Sequence, residues 1–273
     1  MLIIPFILLS PSSYLLPPPP YVFIDDILLY IYRTKEELEE ATLSAKEAFQ
    51  KWKEVPVQQR QRVMFQYQSI IRERLVDLAK LITLENGKTL QDSQGDVFRG
   101  LEVVETACMV GSEMKGETLN QISQGMDIVT LRQPLGVCAG ITPFNFPAMI
   151  PLWMFPIACT TGNTFVLKPS PHTPAASMLL AKLSQEAGLP PGVLNVVHGS
   201  VEVVNFLCDS PHIRAISFVG GNAAGESIHA RGTANGKRVQ ANTSAKNHAT
   251  ILPDADREAT IKGVCVLFVF FCF

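Results

Sequence analysis

From Thr164 onward, short β-branched runs alternate with helical stretches at close intervals, and this alternation constrains the fold more than any other feature of the chain. TFVLK (Thr164 to Lys168) precedes a helical segment over 174–187, VLNVV (Val193 to Val197) one over 200–208, and AISFV (Ala215 to Val219) one over 223–231. KRVQA and HATIL follow as further strand-like runs. A helix between two strands carries the chain back to its starting edge, so the strands run parallel and the helices cover the sheet. The predicted class is α/β, a doubly wound, mostly parallel sheet that takes ligands at the carboxyl ends of its strands.

Helices are predicted ahead of the sheet. Thr34-Lys-Glu-Glu37 is a capping box, and Leu38, Ala41, Ala45, Ala48, Phe49 and Trp52 follow at helical spacing. Pro56 opens a second helix with Val63, Met64, Tyr67, Ile70, Ile71, Leu78, Leu81 and Ile82 on one stripe, and Asn86-Gly87 stops it. A third spans about 91–111, with Val97, Leu101, Val104 and Cys108 inward. DIVTLRQP and LGVCAGI then read as strands closed by proline or by glycine and threonine.

Both ends differ in composition from this middle. Residues 1–33 hold the block Pro17 to Pro20, the acidic pair Asp25-Asp26 and no basic residue before Arg33, which fits neither a signal peptide nor a mitochondrial transit peptide. Residues 263–273, GVCVLFVFFCF, are uncharged and rich in β-formers, an aggregation hazard if exposed. Both apolar pieces fall short of the roughly 20 residues a spanning helix needs. An atypical leader (1–33), an informative middle (34–262) and an atypical tail (263–273) are therefore expected.

With 23 Lys plus Arg against 25 Asp plus Glu and no basic run, nucleic acid is not an expected partner. The six cysteines, Cys108, Cys138, Cys159, Cys208, Cys265 and Cys272, show no C-x-x-C or zinc spacing. Most lie in apolar runs and read as reduced core thiols, which fits a reducing compartment.

Three segments carry candidate chemistry. The loop Phe218-Val-Gly-Gly-Asn-Ala-Ala-Gly225 feeds from a strand into a helix whose N-terminus offers N–H groups to a phosphate, although such junctions are also ordinary punctuation of the fold. Lys168, at a strand end, stands where nucleotides lie in doubly wound sheets, or is simply solvated. Asn145, fixed between Pro143 and Pro147, offers a rigid amide donor of the kind that stabilises an oxyanion, or bonds only its own loop.

In order and spacing, PFNFP, FVLKPS, FVGGNAAG and KRVQANTSAKN closely resemble the aldehyde dehydrogenase superfamily, nearest to its methylmalonate-semialdehyde branch, which acylates coenzyme A. The resemblance spans about 34–262. It implies an NAD-binding domain, NAD as cofactor, coenzyme A as co-substrate and a small semialdehyde as substrate, with propionyl-CoA or acetyl-CoA as product. It also implies a homo-oligomer, and a mitochondrial location in eukaryotes, although no transit peptide is visible and a cytoplasmic location remains open.

Carried over position by position, the resemblance makes Asn145 the side-chain donor of the oxyanion hole and sets Thr142 and Phe144 along the nicotinamide half. Lys168 holds the adenosine ribose, with His172 in the same loop; Gly221 and Gly225 line the pyrophosphate, and Thr243 lies beside the nicotinamide. Arg99 matches an arginine that pairs with the substrate carboxylate, a task suited to a guanidinium fork, although a solvated helix-face arginine is the alternative. Asn242 stands where hydrolytic members carry a glutamate base; an amide cannot take that proton, which favours thiolysis by coenzyme A.

Several positions depart from the pattern. Pro171-His172 replaces Glu-Arg and removes a carboxylate expected at the ribose. Gly221 replaces a serine, and Thr243-Ser244 replaces Met-Gly. Beyond Pro253-Asp-Ala-Asp256 neither Cys265 nor Cys272 follows Gly-Gln-Arg, so the nucleophilic cysteine, the rest of the catalytic domain and the oligomerisation elements are expected to be missing. A chain inactive on its own is expected, the alternative being a non-catalytic nucleotide-binding relic or interaction module of the same fold.

Overall fold

The computed structural model describes residues 34–245 and 248–271, with 265–271 described as backbone alone. The leader expected over 1–33 and Cys272 lie outside the described residues. Four helices come first: α1 (Lys35–Trp52), α2 (Val57–Glu73), α3 (Leu75–Asn86) and α4 (Leu90–Met109). The capping box of α1 is present in both directions, Glu37 N–H to Thr34 Oγ1 and Thr34 N–H to Glu37 Oε2. The long helix predicted from Pro56 is two, because Arg74 leaves helical geometry (φ −96°, ψ 10°) and caps both halves.

Next comes an antiparallel hairpin, β1 (Thr118–Ser123) with β2 (Met126–Val129), exposed at every residue. Only the start of the predicted DIVTLRQP strand takes part, and its partner β1 was not foreseen. The five-stranded sheet follows: β3 (Val137–Ile141), then α5 (Met149–Thr160), β4 (Thr164–Lys168), α6 (Ala175–Glu186), β5 (Leu194–Val196), α7 (Val201–Asp209), β6 (Ile213–Val219), α8 (Asn222–Ala234) and β7 (Arg238–Asn242). All five strands are parallel in the order β5-β4-β3-β6-β7. The chain thus starts at the centre, builds to one edge, then crosses back, which makes the boundary between β3 and β6 a topological switch point.

Both faces of the sheet are covered. On β4, Phe165 and Leu167 pack with Trp52, Tyr67, Phe155 and Leu180, while Val166 between them packs with Ala139, Ile216 and Leu207. A strand buried on both faces reads as a continuous apolar run, as TFVLK does. The register pairs Ile141 with both Lys168 and Phe218, and Phe218 with Ala241, so four strands end level.

Two expectations fail beyond β7. HATIL forms no strand and joins neither sheet. The tail read as β-prone is helical: α9 (Arg257–Phe271) runs through the composition break at 262/263. Without a partner strand, a helix is the conformation that satisfies the segment's backbone groups locally. No described helix is long and apolar enough to cross a membrane.

Candidate active site

The level strand ends gather the predicted residues onto one edge. Thr142, the first residue beyond β3, is 4% exposed, and its Oγ1 has no hydrogen-bond partner; three residues on, Asn145 Oδ1 is likewise buried and unpartnered. A buried polar atom left unpaired costs about 1–3 kcal/mol, so two in one loop mark a place that something else completes. The loop itself is well held. Asn86 Nδ2 donates to the Phe144 carbonyl at 2.8 Å, Thr173 Oγ1 reaches the same oxygen at 3.4 Å, and Ser177 Oγ donates to the Pro147 carbonyl at 3.3 Å. Phe144 is part-exposed and meets the His172 ring edge-on at 6.0 Å.

Lys168 is not the solvated strand-end lysine that its residue type favours. It is 5% exposed, and Nζ donates to the carbonyls of Pro169 (2.8 Å) and Gly199 (3.0 Å). Burial pulls its pKa down to about 8, and no ion pair with a described residue offsets that burial. His172 lies exposed in the loop beyond, its N–H donating to Ser170 Oγ at 3.2 Å.

Across the switch point, Gly221 caps α8 with no side-chain hydrogen bond, leaving the first-turn N–H groups without intrahelical acceptors. A Cβ at Gly221 would meet open space, whereas one at Gly225 would lie 2.4 Å from Thr243 Cγ2. Gly225 is therefore needed for close packing of α8 against the exit of β7. That exit is tied down by Gly220 N–H to the Asn242 carbonyl (3.1 Å) and by Ser244 N–H to Asn222 Oδ1 (3.0 Å). The Asn242 side chain is exposed.

The carboxyl ends of the strands thus bring together orphaned polar atoms, a buried lysine and an open helix N-terminus, and the model of the aldehyde dehydrogenase family matches residues 26–272. The chain belongs to the aldehyde dehydrogenase family. Among its relatives is the Rattus norvegicus methylmalonate-semialdehyde/malonate-semialdehyde dehydrogenase (acylating), mitochondrial, 59% identical over 228 residues that make up 84% of this chain and 43% of that protein. The crystal structure of methylmalonate-semialdehyde dehydrogenase from Oceanimonas doudoroffii superposes with a TM-score of 0.81 at 44% identity, covering 85% of this chain and 47% of that one. A Sinorhizobium meliloti 1021 protein complexed with NAD gives 0.82 at 40% identity, covering 86% and 48%. The chain spans less than half the length of each of these relatives.

In this aldehyde dehydrogenase chain Arg99 lies exposed on α4 and forms no hydrogen bond or ion pair with the described residues. The four cysteines with described side chains are free, and burial raises each thiol: Cys108 and Cys138 to about 11, Cys159 and Cys208 upward as well. The Cys265 side chain lies outside the described set.

Four residues at the junction of α3 and α4 were missed by sequence reading. Besides Asn86, Glu85 accepts the Ala175 N–H with both carboxylate oxygens (3.0 and 3.2 Å), capping α6, and burial raises its pKa to about 7. Lys88 Nζ pairs with Asp96 Oδ2 at 2.8 Å, their side chains 4% and 0% exposed. The available signal was the density of charge around Gly87, a left-handed helix stop (φ 83°).

Proposed function

We propose that this chain forms the NAD-binding half of an active site that oxidises methylmalonate or malonate semialdehyde, releases the substrate carboxylate as carbon dioxide and passes the remaining acyl group to coenzyme A, giving propionyl-CoA or acetyl-CoA. The observation that carries the reading is the pair of unpartnered buried atoms, Thr142 Oγ1 and Asn145 Oδ1, at the switch point beside a buried lysine that has no counter-charge among the described residues. Thr142, Phe144 and Thr243 face the nicotinamide half, Lys168 and His172 the adenosine ribose, and Gly221 with the first turn of α8, seated by Gly225, the pyrophosphate. NAD⁺ supplies the hydride acceptor when bound. The Asn145 amide donates to the aldehyde oxygen as charge develops there, and its rigid loop makes that donor cheap to use. Arg99 pairs with the substrate carboxylate. The amide of Asn242 cannot activate water, which favours coenzyme A as acyl acceptor. The rat relative's name motivates a mitochondrial location.

Calorimetric titration of the purified chain with NAD⁺ tests the site. Saturable binding is expected, weakened in Thr142→Val and Lys168→Met; no heat of binding up to about 1 mM, the upper end of ordinary cofactor affinities, overturns the reading.

The raised thiols favour a second reading for the chain on its own, that it binds nucleotide without turnover. A nucleophilic cysteine needs nearby positive charge or a helix N-terminus to lower its pKa, and the four described side chains have the opposite environment. With NAD⁺, coenzyme A and methylmalonate semialdehyde, the chain is expected to give no absorbance growth at 340 nm; steady growth refutes this second reading.

A further inference from the structure

The loop that carries Asn145 is gripped from one side by three residues of the α3–α4 junction. Asn86 holds the Phe144 carbonyl at 2.8 Å, one residue before the asparagine. Lys88 Nζ stands 4.2 Å from the centre of the Phe146 ring, one residue after it. Asp96 Oδ1 accepts the Met149 N–H at 2.7 Å, fixing the first turn of α5 at the loop's far end. Lys88 and Asp96 are joined to each other at 2.8 Å, so the last two grips are one unit.

Stability does not account for burying that unit. Moving two charges out of water is expensive, and apolar replacements of such pairs are often no less stable. Desolvation shows in Asp96, whose carboxyl is raised by burial even with Lys88 beside it. What the pair provides is direction: two short hydrogen bonds and a cation over a ring fix where Phe146 and the start of α5 lie. A donor that must meet a developing charge tolerates little misplacement.

We propose that the buried Lys88–Asp96 ion pair is a positioning device that holds the 142–147 loop, and with it the Asn145 amide, against the nicotinamide half of the site. The proposal rests on the nucleotide-site reading given above and adds residues to it. Neither side chain touches the ligand; each acts through Phe146 or Met149.

The test is the double variant Lys88→Met/Asp96→Asn, which removes both charges together and keeps an acceptor for the Met149 N–H. Affinity is measured for two probes, NADH and ADP-ribose, beside a thermal melt. NADH binding is expected to weaken by about tenfold, as for a displaced contact, while ADP-ribose affinity and the melting midpoint change little. Unchanged NADH affinity overturns the proposal, and so does equal weakening of both probes, which marks a merely structural pair. Should the double variant not fold, Phe146→Leu removes the ring contact alone and carries the same comparison. If the wild-type chain binds neither probe, the nucleotide reading fails separately. The side-chain amide resonance of Asn145 then decides the proposal: it shifts or broadens in the double variant if the pair positions the loop, and an unaltered resonance overturns it.

Discussion

Thr142 donates its backbone N–H to the carbonyl of Lys168 at 3.1 Å, one step beyond the last paired residues of β3 and β4. The loop bearing Asn145, with its orphaned Oδ1, and the strand end bearing the buried lysine therefore start from one shared contact. The first prediction concerns the hydroxyl just past it. Thr142→Val keeps the shape and removes an unpaired buried oxygen, so the chain is expected to gain about 1 kcal/mol while losing NAD⁺ affinity. Urea unfolding and calorimetry on the same protein check both signs.

Lys168 predicts a stability trade of the same kind. Its folded pKa of about 8 lies below the ordinary 10.5, so the unfolded chain binds more protons between those values and stability rises with pH across that window. At pH 7 the penalty is fully present. Lys168→Met is expected to gain about 1–2 kcal/mol there, after the loss of two carbonyl bonds, and to bind nucleotide poorly. Wild-type NADH affinity is expected to fall from pH 7 to pH 9 as the ammonium loses its proton, with a flat profile in the variant.

Glu85 runs the other way. Its pKa is raised from 4.5 to about 7, so the folded state holds the extra proton, and stability from this group is present below pH 4.5 and lost as pH rises through 7. Glu85→Gln, which still accepts the Ala175 N–H, is expected to be more stable than wild type by about 1–2 kcal/mol at pH 8 and equal to it near pH 4.5. Chemical denaturation at the two pH values reads the difference directly.

The two glycines of the α8 loop are expected to separate cleanly. Gly221→Ser meets open space at a helix N-cap, where the exchange is worth only a few tenths of a kcal/mol. Gly225→Ala places a methyl 2.4 Å from Thr243 Cγ2 and is expected to cost about 1–3 kcal/mol. Equal melting midpoints for the two variants would contradict the close packing of α8.

Much of the sheet was readable because TFVLK, VLNVV, AISFV and KRVQA are short β-branched runs set between turn residues, and such runs recur only in a few arrangements. α5 was not readable. It has Pro151 in its first turn and Pro156 inside, and it is apolar on every face, so neither period nor composition announces a helix. Lys168 was located at a strand end by its neighbours, but its burial was not, since lysine is ordinarily a surface residue. The Lys88–Asp96 pair spans a helix start at a separation of eight, which is no helical neighbour spacing; only the packing of α5 on α4 shows why the charges are there.

The approach of Gly225 to Thr243 also restricts the order in which this protein's descendants can change. A side chain at 225 meets the γ-methyl of 243 and is better tolerated once 243 has lost that methyl. Change at the two positions is therefore coupled: an alanine at 225 costs least in a lineage that already carries a smaller residue at 243.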